Sequence, residues 1–279
     1  MPKSINVKGK LIELSSPKVM GIINITPDSF YEGSRFMREE EYLNAALKMV
    51  EEGAAIIDIG GYSTRPGASK ISPEEERDRV LKAIKLINRE LPDLIISIDT
   101  FRADIAMEAV LECGAGIIND ITGGEADKKM FRVVEKLNVP YVLMHMKGTP
   151  GKMERNPVYD DVVADILRWL SGRITRLQSH GVNDIIIDPG FGFGKTVSHN
   201  FEMLRRLRDF SIAGLPVLVG ISRKSMIWKS LDIRPEEAQN GTTVLNTAAL
   251  LNGADILRVH DVREAVQAIR LVGMLRKSS

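Results

Sequence analysis

Ile185-Ile186-Ile187-Asp188-Pro189-Gly190-Phe191-Gly192-Phe193-Gly194-Lys195 is the stretch on which the reading of this chain turns. Three β-branched residues in a row predict a strand buried on both faces, as in parallel sheets. The strand stops at an acid, a proline and alternating glycines, which permit a tight turn. A carboxylate at the end of a buried strand is costly to desolvate unless a charged or hydrogen-bonding group meets it. Asp188 is therefore read as aimed at a ligand, against the plainer alternative that it caps its own loop. The glycine spacing excludes two nucleotide motifs. A P-loop would need glycine where Pro189 stands, and a dinucleotide fingerprint needs G-x-G-x-x-G, whereas Gly190, Gly192 and Gly194 are each two apart.

The bulk composition narrows the classes further. The chain has 279 residues, 44% hydrophobic and 27% charged, enough apolar matter for one large α/β core. With 38 basic and 37 acidic residues, the net charge of +1 recommends neither nucleic acid nor an anionic membrane as main partner. The single cysteine, Cys113, cannot form an internal disulfide and reads as a small buried hydrophobe. No signal-peptide run or membrane-length apolar stretch is present, so a cytoplasmic protein is expected.

Working outward from 185–195, strand and helix patterns alternate in both directions. Residues 5–14 read as a short hairpin. Apolar runs at Val19–Asn24, Ala55–Ile59, Leu94–Ile98, Gly116–Ile118, Tyr141–Met144, Ile185–Ile187, Val217–Val219 and Ile256–Val259 read as strands. Between them fall helical patterns, such as Leu43, Ala46, Leu47 and Val50, stopped by Gly53. Another begins at Ser72-Pro73-Glu74-Glu75, which offers an N-cap, a first-turn proline and a capping-box glutamate, and buries Val80, Ala83, Ile84 and Ile87. Later helices are expected near 103–112, 128–137, 159–179, 200–209, 242–252 and 262–274. Eight strand–helix units without a linker predict a single (β/α)8 TIM barrel over 1–279, core about 19–275, preceded by a short hairpin. A doubly wound open sheet is the rival reading.

In a barrel of this kind all strand carboxyl ends open on one face, where active sites sit. Here those ends carry Asn24, Asp99, Asn119, His145, Asp188, Lys224, and Arg258 with His260. Any one of them could be a satisfied structural polar group; their convergence on one rim points to a site. Asp99, Asn119 and Asp188 form an acid–amide–acid group suited to a flat heterocycle with an amino group beside ring N–H groups. Lys224, Ser225 and Arg258 form a cationic group after the last two strands, where such barrels often bind phosphate. A heterocycle bearing a phosphorylated arm would span both. The Met144-His145-Met146 run reads as pocket floor rather than metal site, and His180 as a helix-end cap.

Six motifs carry a family resemblance: Met20-Gly-Ile-Ile-Asn-Ile-Thr-Pro-Asp-Ser-Phe30, Asp58-Ile-Gly-Gly-Tyr-Ser-Thr-Arg-Pro-Gly-Ala68, Ser97-Ile-Asp-Thr100, Asp188 to Lys195, Gly220-Ile-Ser-Arg-Lys-Ser225 and Arg258-Val-His-Asp-Val262. Together they closely resemble the dihydropteroate synthase family, from about Val19 to the last helix. The resemblance implies a transferase of folate biosynthesis. It would join 6-hydroxymethyl-7,8-dihydropterin pyrophosphate to 4-aminobenzoate, giving 7,8-dihydropteroate and pyrophosphate. It implies pterin contacts at Asp99, Asn119, Asp188, Lys224 and Met144, and pyrophosphate contacts at Asn24, Thr64, Arg258 and His260. Mg²⁺ on the pyrophosphate would meet Asn24. Phe30, Arg65, Pro66, Phe193 and Ser225 would form the aminobenzoate pocket, which sulfonamides enter by mimicry. Asp99, Lys224, Arg258 and His260 would carry catalysis, and a homodimer is expected.

The residues agree with a dissociative mechanism, in which carboxylates stabilise a pterin cation while Arg258, His260 and Mg²⁺ draw off pyrophosphate. No side-chain nucleophile is needed. Loops 27–34 and 60–70 read as lids that exclude water. The chain departs from the family pattern at Tyr31-Glu32-Gly33-Ser34, where Ser-Asp-Gly-Gly is common, and at Tyr62, where Glu is common. Two alternatives are a pterin-dependent methyltransferase and a non-catalytic pterin-binding paralogue. The first would not need Phe30, Arg65-Pro66 or Lys224-Ser225 in these roles; the second predicts damage at Asn24, Arg258 or His260.

Overall fold

The computed structural model describes residues 3–25, 35–62, 71–149, 152–153 and 157–277. Strands β1 (Ser4–Val7) and β2 (Lys10–Glu13) pair antiparallel through a two-residue turn, Lys8-Gly9. Both turn residues have positive φ, 50° and 81°, the backbone that matches the twist of a two-residue hairpin.

The chain then alternates as expected: β3 (Lys18–Asn24), α1 (Arg35–Glu51), β4 (Ile56–Gly60), α2 (Pro73–Glu90), β5 (Ile95–Asp99), α3 (Ala103–Cys113), β6 (Ile117–Asp120), α4 (Met130–Leu137) and β7 (Tyr141–Met144). A small hairpin, β8 (Gly148–Thr149) and β9 (Lys152–Met153), precedes α5 (Val162–Ser179). There follow β10 (Ile185–Asp188), α6 (Val197–Arg205), a 3₁₀ turn (Leu207–Ala213), β11 (Leu218–Val219), α7 (Ser225–Leu231), α8 (Gln239–Leu251), β12 (Ile256–Val259) and α9 (Val262–Lys277).

All pairings in the eight-stranded sheet are parallel, in the order β10-β7-β6-β5-β4-β3-β12-β11. The two ends meet. Ile187 bridges to Val217 in parallel, and its N–H donates to the Pro216 carbonyl at 2.9 Å. That bridge closes the barrel and removes the open-sheet alternative.

Strand alternation builds two apolar layers. Outward residues such as Ile57, Ile96, Leu143, Ile187 and Leu257 pack under the helices. Inward residues Met20, Ile56, Ile117, Val142, Ile186, Leu218 and Ile256 fill the lower barrel, where Ile5, Val7 and Leu14 from the hairpin plug it. The hairpin is also tied on by Lys3 Nζ to Asp255 at 2.8 Å and by the Asn6 N–H to Asp184 at 2.8 Å.

Helix ends differ from the sequence expectation where side chains cap them. The Asp161 carboxylate accepts from the Val163 and Ala164 N–H groups, so α5 starts there rather than at 159. Thr196 caps α6, moving its start ahead of 200, and the helix gives way to the 3₁₀ turn before 209. Ser72 caps α2, accepting from the Glu75 N–H at 3.1 Å, and Val80, Ala83, Ile84 and Ile87 are buried as read. The Glu75 carboxylate turns instead to Arg79 one turn on, so the reciprocal half of the box is not made. Cys113 is buried, and His180 ends α5 with its ring 3.2 Å from Glu135.

Candidate active site

Register brings the polar residues to one mouth. Gly60 pairs with Asp99 and Asp99 with Asn119 along β4, β5 and β6; Asp188 pairs with Met144 across β10 and β7. Above the apolar plug, these positions replace hydrophobes with acids, an amide and cations.

At the centre is a residue to which the sequence reading gave no role. Asp58, fully buried in the middle of β4, accepts from Arg258 Nε at 2.6 Å and from Asn119 Nδ2 at 2.9 Å. Its other oxygen has no partner among the described residues. Arg258 also reaches Asp99, Nη2 to Oδ2 2.6 Å. The expected separation into an anionic and a cationic group is therefore corrected: the cylinder is narrow enough that Arg258, on β12, interleaves with acids on β4 and β5. Burial depresses the guanidinium, yet Asp58 and Asp99 together hold it above its ordinary value. Burial drives Asp99 up to about 7, with Arg258 opposing.

On the other side Asp188 is buried and accepts the Gly190 N–H at 2.7 Å. Burial raises its pKa, opposed by Lys224. Lys224 lies just before α7; its amine donates to the Phe191 carbonyl and stands 4.5 Å from the Phe193 ring centroid. Burial brings it down to about 8, against the pull of Asp188. Ser225 is the first residue of α7 and half-buried. Met144 is buried with Ile121 and Met146, and Phe101 and Phe193 pack on them, giving the mouth one apolar wall.

His260, half-buried, has Nδ1 3.0 Å from Ser222 Oγ, and its backbone N–H donates to the same oxygen at 3.2 Å. Arg223 is held away by Asp261, Nη2 to Oδ1 2.6 Å. Asn24 ends β3 exposed at the rim. Tyr62 stacks edge-on against Phe101, centroids 5.2 Å apart. Phe30, Thr64, Arg65 and Pro66 lie outside the described residues, as do Tyr31, Glu32 and Ser34. The structure thus brings Asp99, Asn119, Asp188, Met144, Phe193, Lys224, Ser225, Arg258 and His260 to the same end of the barrel, and adds Asp58.

A closed (β/α)8 barrel with acids, an amide and cations at its carboxyl mouth is the architecture of a heterocycle-binding enzyme. Residues 20–260 match the family model described as pterin binding enzyme. The chain is 42% identical to the dihydropteroate synthase of Escherichia coli K12 over 267 residues, 95% of this chain and 94% of that protein. It is also 42% identical to that of Bacillus subtilis, over 99% of this chain and 93% of the relative. Among solved structures, Xanthomonas albilineans dihydropteroate synthase with 4-aminobenzoic acid superposes with TM-score 0.90 at 38% identity, covering 99% of both chains. The Yersinia pestis enzyme in a sulfonamide drug complex gives 0.91 at 39%, covering 98% of this chain and 99% of that one. The chain belongs to the dihydropteroate synthase family.

Proposed function

We infer that this barrel condenses 6-hydroxymethyl-7,8-dihydropterin pyrophosphate with 4-aminobenzoate. The protein is a transferase of folate biosynthesis, releasing pyrophosphate and forming 7,8-dihydropteroate. The observation that carries this reading is the polar layer Asp58, Asp99, Asn119, Asp188, Lys224 and Arg258 inside one barrel mouth.

The roles divide as follows. Asp188 and Asn119 take the amino and ring N–H edge of the pterin, with Met144 beneath it and Lys224 on its acceptor side. Asp99 stabilises the positive charge that grows on the pterin as the C–O bond breaks. Arg258, kept charged by Asp58, and His260, oriented by Ser222, take the pyrophosphate together with Asn24 and Thr64. Phe193 and Ser225 hold 4-aminobenzoate with Phe30, Arg65 and Pro66. A sulfonamide would compete in that same pocket, in keeping with the drug complex formed by the Yersinia pestis relative.

Mg²⁺ fits this donor set as an ion carried by the substrate. Asn24 offers an exposed amide oxygen at the rim, and this cation is usually held by few protein oxygens plus phosphates and water. When bound it would neutralise charge on the leaving oxygens.

A methyltransferase or a silent pterin binder is not favoured, because the likeness to dihydropteroate synthases runs the length of the chain and Asn24, Arg258 and His260 are intact. A single barrel domain over 1–279 would carry the whole site. No helix among the described residues is long and apolar enough to cross a membrane, and a free Cys113 suits a reducing cytoplasm. Exposed Val244 and Leu251 on α8 and Leu271 and Leu275 on α9 favour a homodimer through these helices.

The test is pteroate formation from the two purified substrates with Mg²⁺, abolished by a chelator. In parallel, Asp188→Ala should lose about 3 kcal/mol of pterin affinity by calorimetry, since it removes a charge-assisted pair. Unchanged binding would remove Asp188 from the pterin site.

A further inference from the structure

The glycine loop that follows β10 carries Phe193 and begins directly after Asp188, yet glycines give a backbone no rigidity of their own. Asn200 Oδ1 accepts the Gly192 N–H at 2.7 Å on one side of the loop, and Lys195 ties it down from beneath. Its side chain turns back under the loop, and the amine ends among four acceptors. It meets the Gly190 carbonyl at 2.8 Å, the Phe193 carbonyl at 3.0 Å, His145 Nδ1 at 3.1 Å and the His145 carbonyl at 3.3 Å. We propose that Lys195 is a positioning residue, clamping the β10–α6 loop onto the exit of β7 and so setting where the Phe193 ring stands beside Lys224.

The anchor it grips is firm. His145 is buried, its ring edge-on to Trp169 at 5.0 Å and tilted against Tyr159 at 6.2 Å. Tyr159 Oη in turn donates to the Gly194 carbonyl at 3.0 Å. Burial first, then Lys195, draws His145 down to about 2, so the ring is neutral and has one nitrogen free to accept. Burial draws the Lys195 amine itself well below its ordinary value, against the pull of Asp188; in its ammonium form its three hydrogens match two loop carbonyls and that nitrogen. An amine at this position, with the ring proton moved to Nδ1, would keep both carbonyl bonds, so the clamp does not depend on where that proton lies.

From the opposite side Lys224 donates to the Phe191 carbonyl and lies over the Phe193 ring. The loop is thus bracketed between two amines, one facing the mouth and one beneath. Asp188 has independent support. Its carbonyl accepts the His145 N–H at 3.0 Å and its strand register is set by Tyr141–Met144. Loss of the clamp should therefore move the aminobenzoate wall more than the pterin floor.

The inference rests on the aminobenzoate role proposed for Phe193, and the experiment separates the two. Lys195→Met and Phe193→Ala are compared with the parent by steady-state kinetics and by calorimetry with a pterin. Lys195→Met should raise KM for 4-aminobenzoate about ten-fold while pterin affinity stays within about two-fold, since small misplacements of binding groups act at this scale. Lys195→Gln, which keeps two donors, should recover part of the effect and covers the case in which the methionine variant does not fold. A KM for 4-aminobenzoate unchanged in Lys195→Met, or in Lys195→Gln where the methionine variant does not fold, with Phe193→Ala impaired, overturns the clamp alone. An equal loss on both substrates marks a merely structural lysine and overturns it too. An unchanged KM in Phe193→Ala overturns the underlying placement and the inference with it.

Discussion

Asp99 and Lys224 are displaced toward neutrality from opposite directions, and the roles proposed for them need both in their charged forms. Asp99, raised to about 7 by burial against the pull of Arg258, is a carboxylate only above that value. Lys224, lowered to about 8 by burial against the pull of Asp188, is an ammonium only below it. The product of the two fractions is a narrow bell, so kcat/KM for the pterin substrate should peak between pH 7 and 8 and fall on both sides. In Lys224→Gln the alkaline limb should vanish while the acid limb stays; a parent profile flat across this interval would refute the assignment. Asp99 was legible in the sequence because it ends a strand, where a charged group interrupts an apolar run, and Lys224 because it stands in the short polar segment that follows the apolar run Val217–Val219. Asp58 was not. It lies inside Ile56-Ile57-Asp58-Ile59, where alternation reads as an ordinary strand position. The available signal was a lone acid in an otherwise apolar buried strand, which needs a cation nearby. Arg258 is that cation, 200 residues away in sequence. Its identity depends on barrel closure, which no local pattern encodes.

At the level of elements, the long helices and buried strands were readable because their periodicities are strong, while short pieces carried too little pattern. Helix α7 is one such piece. Ser225–Leu231 follows the Gly-Ile-Ser-Arg-Lys segment, where no helix was expected, yet it starts at Ser225 and so fixes the residue before it, Lys224, at the mouth. The two-residue strands β8 and β9 were equally silent. The N-terminal hairpin was expected, but its task follows only from packing: Ile5, Val7 and Leu14 close the barrel end opposite the active site. In this fold the bottom face serves stability and the top face chemistry. Ile5, 1% exposed, should therefore lose about 3 kcal/mol when cut to alanine, as buried large-to-small changes do. Urea denaturation measures the loss, and both KM values should stay at parent level. A variant of parental stability with impaired kinetics would show that the plug communicates with the mouth.

For the whole molecule, eight strand–helix units without a linker pointed to a closed barrel, although an open doubly wound sheet uses the same alternation. Closure rests on a contact between Ile187 and Val217, both ordinary apolar positions. With the barrel closed, its helices form the outer surface, and not every helix is polar where it faces out. On α9, Leu271 and Leu275 are one turn apart, each 63% exposed, and on the adjacent α8, Val244 and Leu251 are 57% and 42% exposed. The two helices pack side by side, and Arg276 of α9 donates to the Leu250 carbonyl at the end of α8, so these side chains belong to neighbouring elements. Isolated exposed leucines are normal on a monomer, whereas a continuous apolar strip usually meets a partner. For the proposed homodimer, light scattering on the parent should give twice the chain mass. Placing a charge in the strip by Leu271→Glu with Leu275→Glu should yield a monomer, because an unpaired carboxylate would have to be buried in the interface. The substitution faces away from the barrel interior, so stability within the monomer should change little. A parent that runs as a monomer at all accessible concentrations, or a double variant that remains dimeric, would move the interface elsewhere or remove it.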